Sequence, residues 1–272
     1  MMEQNLLHKK AMDFLLTTSR TFFIPISHLP SGLQEAIGSA YLCMRAIDEI
    51  EDDSKLPADT KIFLLQSVAK LLQEGHSAAR IEALFTPFKK DLPEVTLLLS
   101  DWIAYCPPGA LDKVLESTIE MAEGMAKWVA KNWEIETEAD LDDYTYYVAG
   151  LVGVMLSDIW KWYDGTETNR EQAIAFGRGL QTVNILRNRD EDAERGVQFF
   201  PKGWGFAEML AHTEKNLVMA EKYCQTIQTR DILHFCKIPL ELAKATLVAL
   251  KEGKEKINRA EVTKIVKHVV DQ

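Results

Sequence analysis

Tyr41, Arg45, Asp48 and Asp52 follow one another at offsets of four, three and four in the stretch YLCMRAIDEIEDD. At 3.6 residues per turn these side chains share one face of a helix, and Leu42, Met44, Ala46 and Ile47 fall on the others. Two carboxylates one turn apart offer hard oxygen ligands, and a magnesium ion favours a few carboxylates combined with phosphate oxygens. Arg45, a turn earlier on the stripe, has the fork geometry that grips a phosphate. With 41 acidic residues in 272, however, such a spacing also arises by chance. Alone, the pair reads more readily as a solvated helix end than as a metal site.

A second stripe changes that balance. Gln181, Asn184, Asn188 and Asp192 recur at offsets of three, four and four, with Glu191 at the edge. Gln181 and Asn184 sit among Leu180, Val183, Ile185 and Leu186, where an amide without a partner is costly. An interhelix hydrogen-bond network would satisfy them as well as a metal–phosphate site would. Taken together, two polar stripes on long apolar helices could face each other across a bundle interior. They would then hold Mg²⁺ between carboxylates and a diphosphate, with apolar flanks lining a greasy pocket. That arrangement suits ionisation of an allylic diphosphate, where metal and Arg45 neutralise the leaving group.

The elements that must carry these stripes are helices. Only 14 Gly and 9 Pro interrupt the chain, and no alternating strand pattern exceeds a few residues. Ser31 with Gln34, Thr168 with Glu171, Asn258 with Glu261 and, more weakly, Thr137 with Asp140 read as capping boxes. Helices are expected near 4–17, 31–53, 58–74, 92–104, 109–132, 138–161, 169–192, 206–225, 229–251 and 259–270. No repeat or linker appears, so the expectation is one all-α domain over 1–272. A net charge of −10 argues against a nucleic-acid partner. Four scattered cysteines indicate reduced, buried thiols rather than a disulfide or zinc scaffold. The first residues do not read as a signal peptide, and the longest apolar run, 148–156, is too short to span a bilayer. The reading is a cytoplasmic protein.

With those residues in place, the chain resembles the squalene/phytoene synthase family. YLCMRAIDEIEDD is similar to the family's first aspartate-rich motif, and GLQTVNILRNRDEDAERGVQFFP (179–201) to its second. YTYYVAGLVG (144–153), Ser19-Arg20-Thr21-Phe22 and FCKIP (235–239) resemble further signatures, in family order, the first and last in their squalene synthase form. The resemblance implies an isoprenoid synthase helical bundle around a central apolar cavity. It implies head-to-head joining of two farnesyl diphosphates through presqualene diphosphate to squalene, with Mg²⁺ and, in the squalene branch, NADPH. By the same resemblance Asp48, Glu51 and Asp52 would bind metal, as would Asn184, Asn188, Glu191 and Asp192. Ser19, Arg20, Thr21, Tyr41, Arg45, Gln181 and Arg187 would contact diphosphate, and Phe22, Val148, Val152 and Phe235 the prenyl chain. Tyr144, with Tyr41 and Arg45, would act at the reacting centre; a packing aromatic is the plainer reading of Tyr144. The family's second motif has Asp where this chain has Asn188, which removes one negative charge from the metal site.

Presqualene diphosphate or dehydrosqualene/phytoene formation without reductant is the alternative activity, and an assembly or binding role the alternative class. The basic face made by Lys251, Lys254, Lys256, Arg259, Lys264 and Lys267 reads as a solvated surface, or as a contact for anionic lipid or the phosphate of a nicotinamide cofactor. A peripheral membrane contact at the inner face for product release, and a monomer or homodimer, complete the expectation.

Overall fold

The computed structural model describes residues 2–194 and 196–271, with the side chains of residues 2, 3, 20 and 21 outside the description. Among the described residues there is no strand. Helices divide into two compact units, Met1–Asn132 and Trp133–Gln272.

The first unit carries α1 (Met2–Thr18), α2 (Arg20–Ser27), α3 (Leu33–Asp52), α4 (Ala58–Gln73), α5 (Ala78–Phe85), α6 (Glu94–Leu97), α7 (Leu99–Tyr105) and α8 (Pro108–Ala130). Its centre is α3, which packs against α1, α6, α7 and α8 and buries Ala36, Ile37, Ala40, Cys43, Ile47 and Ile50. Buried hydroxyls bind neighbouring main chain across this core: Ser39 donates to the Trp102 carbonyl at 2.7 Å and Thr96 to that of Ala46 at 3.0 Å. Buried polar groups need such partners, and these two fix the rotation of α3.

The second unit runs α9 (Glu138–Thr145), a π turn (Tyr146–Gly150), α10 (Leu151–Asp164), α11 (Arg170–Arg187), α12 (Arg189–Glu194), α13 (Phe206–Thr226), α14 (Arg230–Lys251) and α15 (Arg259–Val270). Here α11 is central, packed on α10, α13, α14 and the π turn. Glycines permit backbone-to-backbone contact. A Cβ on Gly177 would stand 2.0 Å from the carbonyl oxygen of Ala149, and one on Gly153 2.0 Å from that of Ala173. At the other edge α15 lays Val262, Ile265, Val266 and Val269 on Ile238 and Leu242 of α14.

The caps at Thr137/Asp140 and Asn258/Glu261 form as expected, each side chain accepting from the other's amide. Two others shift by one residue. At α3 the Glu35 carboxylate accepts from the Gly32 amide and from Ser31 Oγ, whereas Gln34 reaches back to the Ile26 carbonyl at 3.0 Å. At α11 the cap is Asn169, accepting from Gln172 N–H at 3.0 Å, and Thr168 is half-buried beside it. The expected 92–104 helix breaks at Leu98, 138–161 contains the π turn, and 169–192 breaks at Asn188. The short helices α2 and α5 go beyond the sequence expectation. All four cysteines are buried and unbridged, and burial raises their thiol pKa values, Cys106 to about 11.

Because the obstruction at Gly177 is backbone, it cannot move aside as a side chain would. Gly177→Ala is expected to cost about 3 kcal/mol of stability. Gly179→Ala, which meets the movable Leu217 side chain, is expected to cost less; thermal unfolding of the two variants checks the order.

Candidate active site

In the first unit α3 delivers Tyr41, Arg45, Asp48, Glu51 and Asp52. Because its apolar residues commit the other faces to the core, the stripe from Tyr41 to Asp48 lies half-buried at the surface of the unit, with Asp52 exposed and Glu51 buried. One carboxylate oxygen from each of Asp48, Glu51 and Asp52 can be chosen so that all lie within 4.8 Å of one another. Arg45 leans over the same end: its Nη1 is 2.5 Å from Asp48 Oδ2, and its Nε donates to Glu49 Oε1 at 2.8 Å. Tyr41 lies one turn before Arg45, its ring 6.1 Å from that of Phe22.

This end of α3 is electrostatically loaded. Three carboxylates sit at the negative end of the helix macrodipole, and no basic residue occupies the last turn. Burial pushes the Asp48 carboxyl up to about 7, the charge of Asp52 adds to the shift, and Arg45 offsets part of it. Lys61 of α4, itself buried, supplies a compensation from outside the helix, donating to the main-chain oxygen of Glu51 at 2.6 Å. Sequence reading missed both Glu49 and Lys61. The i,i+4 spacing of Arg45 and Glu49 could have revealed the first; Lys61 carries no local signal.

The early segment places Ser19 as the N-cap of α2, its Oγ accepting from Phe22 N–H at 3.1 Å. Arg20 and Thr21 belong to the backbone of α2, but their side chains lie outside the described residues.

In the second unit α11 holds Gln181 and Asn184 half-buried. Asn188 is its C-cap, yet hydrogen bonds from Asn188 N to Asn184 O and from Asp192 N to Asn188 O, both 2.8 Å, carry the register across the break. The stripe thus keeps its order with Asp192 buried and Glu191 exposed. Arg187 Nε donates to Asn188 Oδ1 at 3.0 Å, so that amide oxygen is already engaged. Tyr144 is buried and stacks on Phe199, the centroids 4.9 Å apart. Val148 and Val152 are half-buried on the π turn and α10. Phe235 is buried edge-on against Trp160 at 5.5 Å, a core position.

Compared with known proteins, the Squalene/phytoene synthase family model matches residues 15–205. The chain belongs to this family. Squalene synthase of Schizosaccharomyces pombe is 29% identical, the match covering 97% of this chain and 65% of that protein. The Botryococcus squalene synthase of Botryococcus braunii is 30% identical over 95% of this chain and 62% of its own length. The squalene/phytoene synthase chain described here therefore spans a little under two thirds of the relatives it matches. Among solved structures, a squalene synthase, TcSQS, in complex with a ligand superposes with a TM-score of 0.79 at 22% identity, covering 96% of this chain and 86% of that one. A dehydrosqualene synthase in complex with a ligand gives 0.70 at 19%, covering 99% and 97%. These likenesses show the all-α fold of the family.

Raising Asp48 above its unfolded pKa of about 3.9 means that the fold disfavours its ionised form. The penalty is absent below that value and complete above about 7. In metal-free protein, Asp48→Asn is therefore expected to shift the melting temperature upward relative to wild type by an amount that grows from about pH 5 to about pH 8. Melting curves across that range check it, and a pH-independent difference would contradict the raised value.

Proposed function

We propose that this protein couples two prenyl diphosphates head to head, with farnesyl diphosphate as substrate and squalene as the product in the presence of NADPH. The observation that carries the reading is the triad Asp48, Glu51 and Asp52, drawn within 4.8 Å with Arg45 alongside. An acidic cluster in which burial, and then the charge of Asp52, raises the Asp48 carboxyl to about 7 fits a divalent cation, which supplies two positive charges where a proton would supply one. Asp48, Glu51 and Asp52 would hold Mg²⁺, with Asn184, Asn188, Glu191 and Asp192 as a second set of ligands. Mg²⁺ there supplies Lewis-acid neutralisation of a departing diphosphate.

The chain's own groups do the rest. Arg45, already fixed by Glu49, presents guanidinium donors to diphosphate oxygens, with Tyr41, Ser19, Arg20, Thr21, Gln181 and Arg187 as further contacts. Val148, Val152, Phe22 and Phe235 exclude water from the prenyl chains. Tyr144, held flat against Phe199, offers its ring face to positive charge on carbon and its hydroxyl to a proton. In the first half-reaction two farnesyl diphosphates give presqualene diphosphate, releasing one diphosphate and a proton. NADPH, when bound, would supply the hydride that takes the place of the remaining diphosphate in squalene.

On the basic C-terminal face Lys251 is paired with Glu214 and Lys254 with Glu252 in exposed ion pairs, so these two ammonium groups are shared rather than dedicated to a cofactor phosphate. Together with the amide at Asn188, this favours a second reading in which the chain stops at presqualene diphosphate or a dehydrosqualene product.

Purified protein incubated with farnesyl diphosphate and Mg²⁺, with and without NADPH, followed by mass spectrometry of the dephosphorylated products, separates these outcomes. Squalene formed only with NADPH supports the first reading, and presqualene or dehydrosqualene products regardless of NADPH the second. Farnesol alone, or no turnover, rejects coupling, and no Mg²⁺-dependent thermal stabilisation by the substrate points to a binding role. Asp52→Asn is expected to cost on the order of 100-fold in turnover. Asn188→Asp is expected to keep or raise Mg²⁺ affinity, measured by the Mg²⁺ dependence of activity.

A further inference from the structure

The helix that carries Tyr144 does not continue as an α-helix past it. Over Tyr146–Gly150 it opens into a π turn, with the Leu151 amide reaching the Tyr146 carbonyl five residues back. Such a turn inserts one residue into the helical register and recurs at functional sites. The turn itself is half-buried over Tyr146–Ala149, between buried Tyr144 and Thr145 on one side and buried Gly150 and Leu151 on the other.

Arg178 of α11 sits at the entrance to this turn. Its Nη2 and Nε donate to the main-chain oxygen of Asp142 at 2.7 and 3.2 Å, and its Nη1 lies 3.8 Å from the Asp142 carboxylate. The Tyr146 amide, which a regular turn would give to Asp142 alone, is divided between the carbonyls of Asp142 and Asp143. The guanidinium takes up part of the Asp142 carbonyl and ties the segment leading into the π turn to α11, a side-chain insertion of the kind that accompanies departures from regular helix. Two neighbours hold the same segment in place. Gly177, beside Arg178, is in backbone contact with Ala149. His212 of α13, buried, stands 3.4 Å from the other Asp142 carboxylate oxygen and 3.3 Å from Glu138.

We propose that Arg178 is a positioning residue: by binding the Asp142 carbonyl it clamps the segment that enters the π turn against α11. It thereby sets the rotation of Tyr144 relative to Val148 and Val152, which the inserted residue turns by roughly 100°. Its catalytic consequence rests on the reading of Tyr144, Val148 and Val152 given under Proposed function; the clamp itself does not.

The experiment uses Arg178→Met, which keeps the length and removes the donors, and Arg178→Lys, which restores one. Hydrogen exchange followed by mass spectrometry, on substrate-free protein, is expected to show faster exchange in peptides spanning 141–150 for the Met variant. The Lys variant should be intermediate, and α13 and α14 should keep wild-type rates. With farnesyl diphosphate and Mg²⁺, formation of coupled product is expected to fall on the order of 100-fold in the Met variant. KM should stay unchanged, released farnesol should rise, and Lys should recover part of the loss. A folded Met variant with wild-type exchange at 141–150 overturns the clamp. A rise in KM matching the loss of turnover overturns the positioning role in favour of a diphosphate contact. Faster exchange in a protein whose wild type forms no coupled product leaves the clamp standing and removes the proposed function instead. Should Met prevent folding, the Lys variant decides by the same exchange: wild-type protection at 141–150 overturns the proposal, and faster exchange supports it.

Discussion

Like charge gathered at the wrong end of a helix is the constraint around which the first unit is arranged. The last turn of α3 holds Asp48, Glu51 and Asp52 where the macrodipole already repels anions. No local sequence preference would choose this placement. It persists because α3 is locked by its apolar faces and by the hydroxyls of Ser39 and Thr96, leaving the carboxylates nowhere else to go. Arg45 and Lys61 discharge part of the load, one from within the helix and one from α4. Burial nevertheless holds the Asp48 carboxyl at about 7, and perturbed carboxylates of this kind cluster at functional sites.

The second unit solves a different problem. Its polar stripe is amide-rich, so it can lie half-buried without the same repulsion, and its precision comes from close backbone packing. The two motifs thus divide the work: one concentrates charge, the other geometry. Asn188 belongs to that logic. Its side chain is engaged with Arg187 and its main chain bridges Asn184 and Asp192, so the residue holds the stripe together across a helix break whatever its contribution to a metal.

Both stripes were legible in the sequence because spacing in a helix is geometry, and geometry survives without knowing the neighbours. The helices were legible for the same reason wherever apolar periodicity was long. What escaped was set by tertiary contact. The caps at Gly32 and Asn169 compete with equally plausible residues one position away, and only the final packing chooses. The short α2 offers too few turns for a period and contains Pro25. The π turn leaves no residue-type signature in its own segment, and Arg178, which binds the Asp142 carbonyl before it, lies on another helix. Lys61 is indistinguishable in sequence from any surface lysine.

The contacts of Gly177 with Ala149 and of Gly153 with Ala173 have an evolutionary side. Where main chain touches main chain there is no side chain to vary, so these crossings are closed to substitution. Under the proposed prenyl-binding role, divergence that alters which substrate is accepted would have to be written elsewhere on the same helices, at half-buried positions such as Val148 and Val152. The glycine crossings act as a fixed datum, and the neighbouring positions become the adjustable part of a lineage.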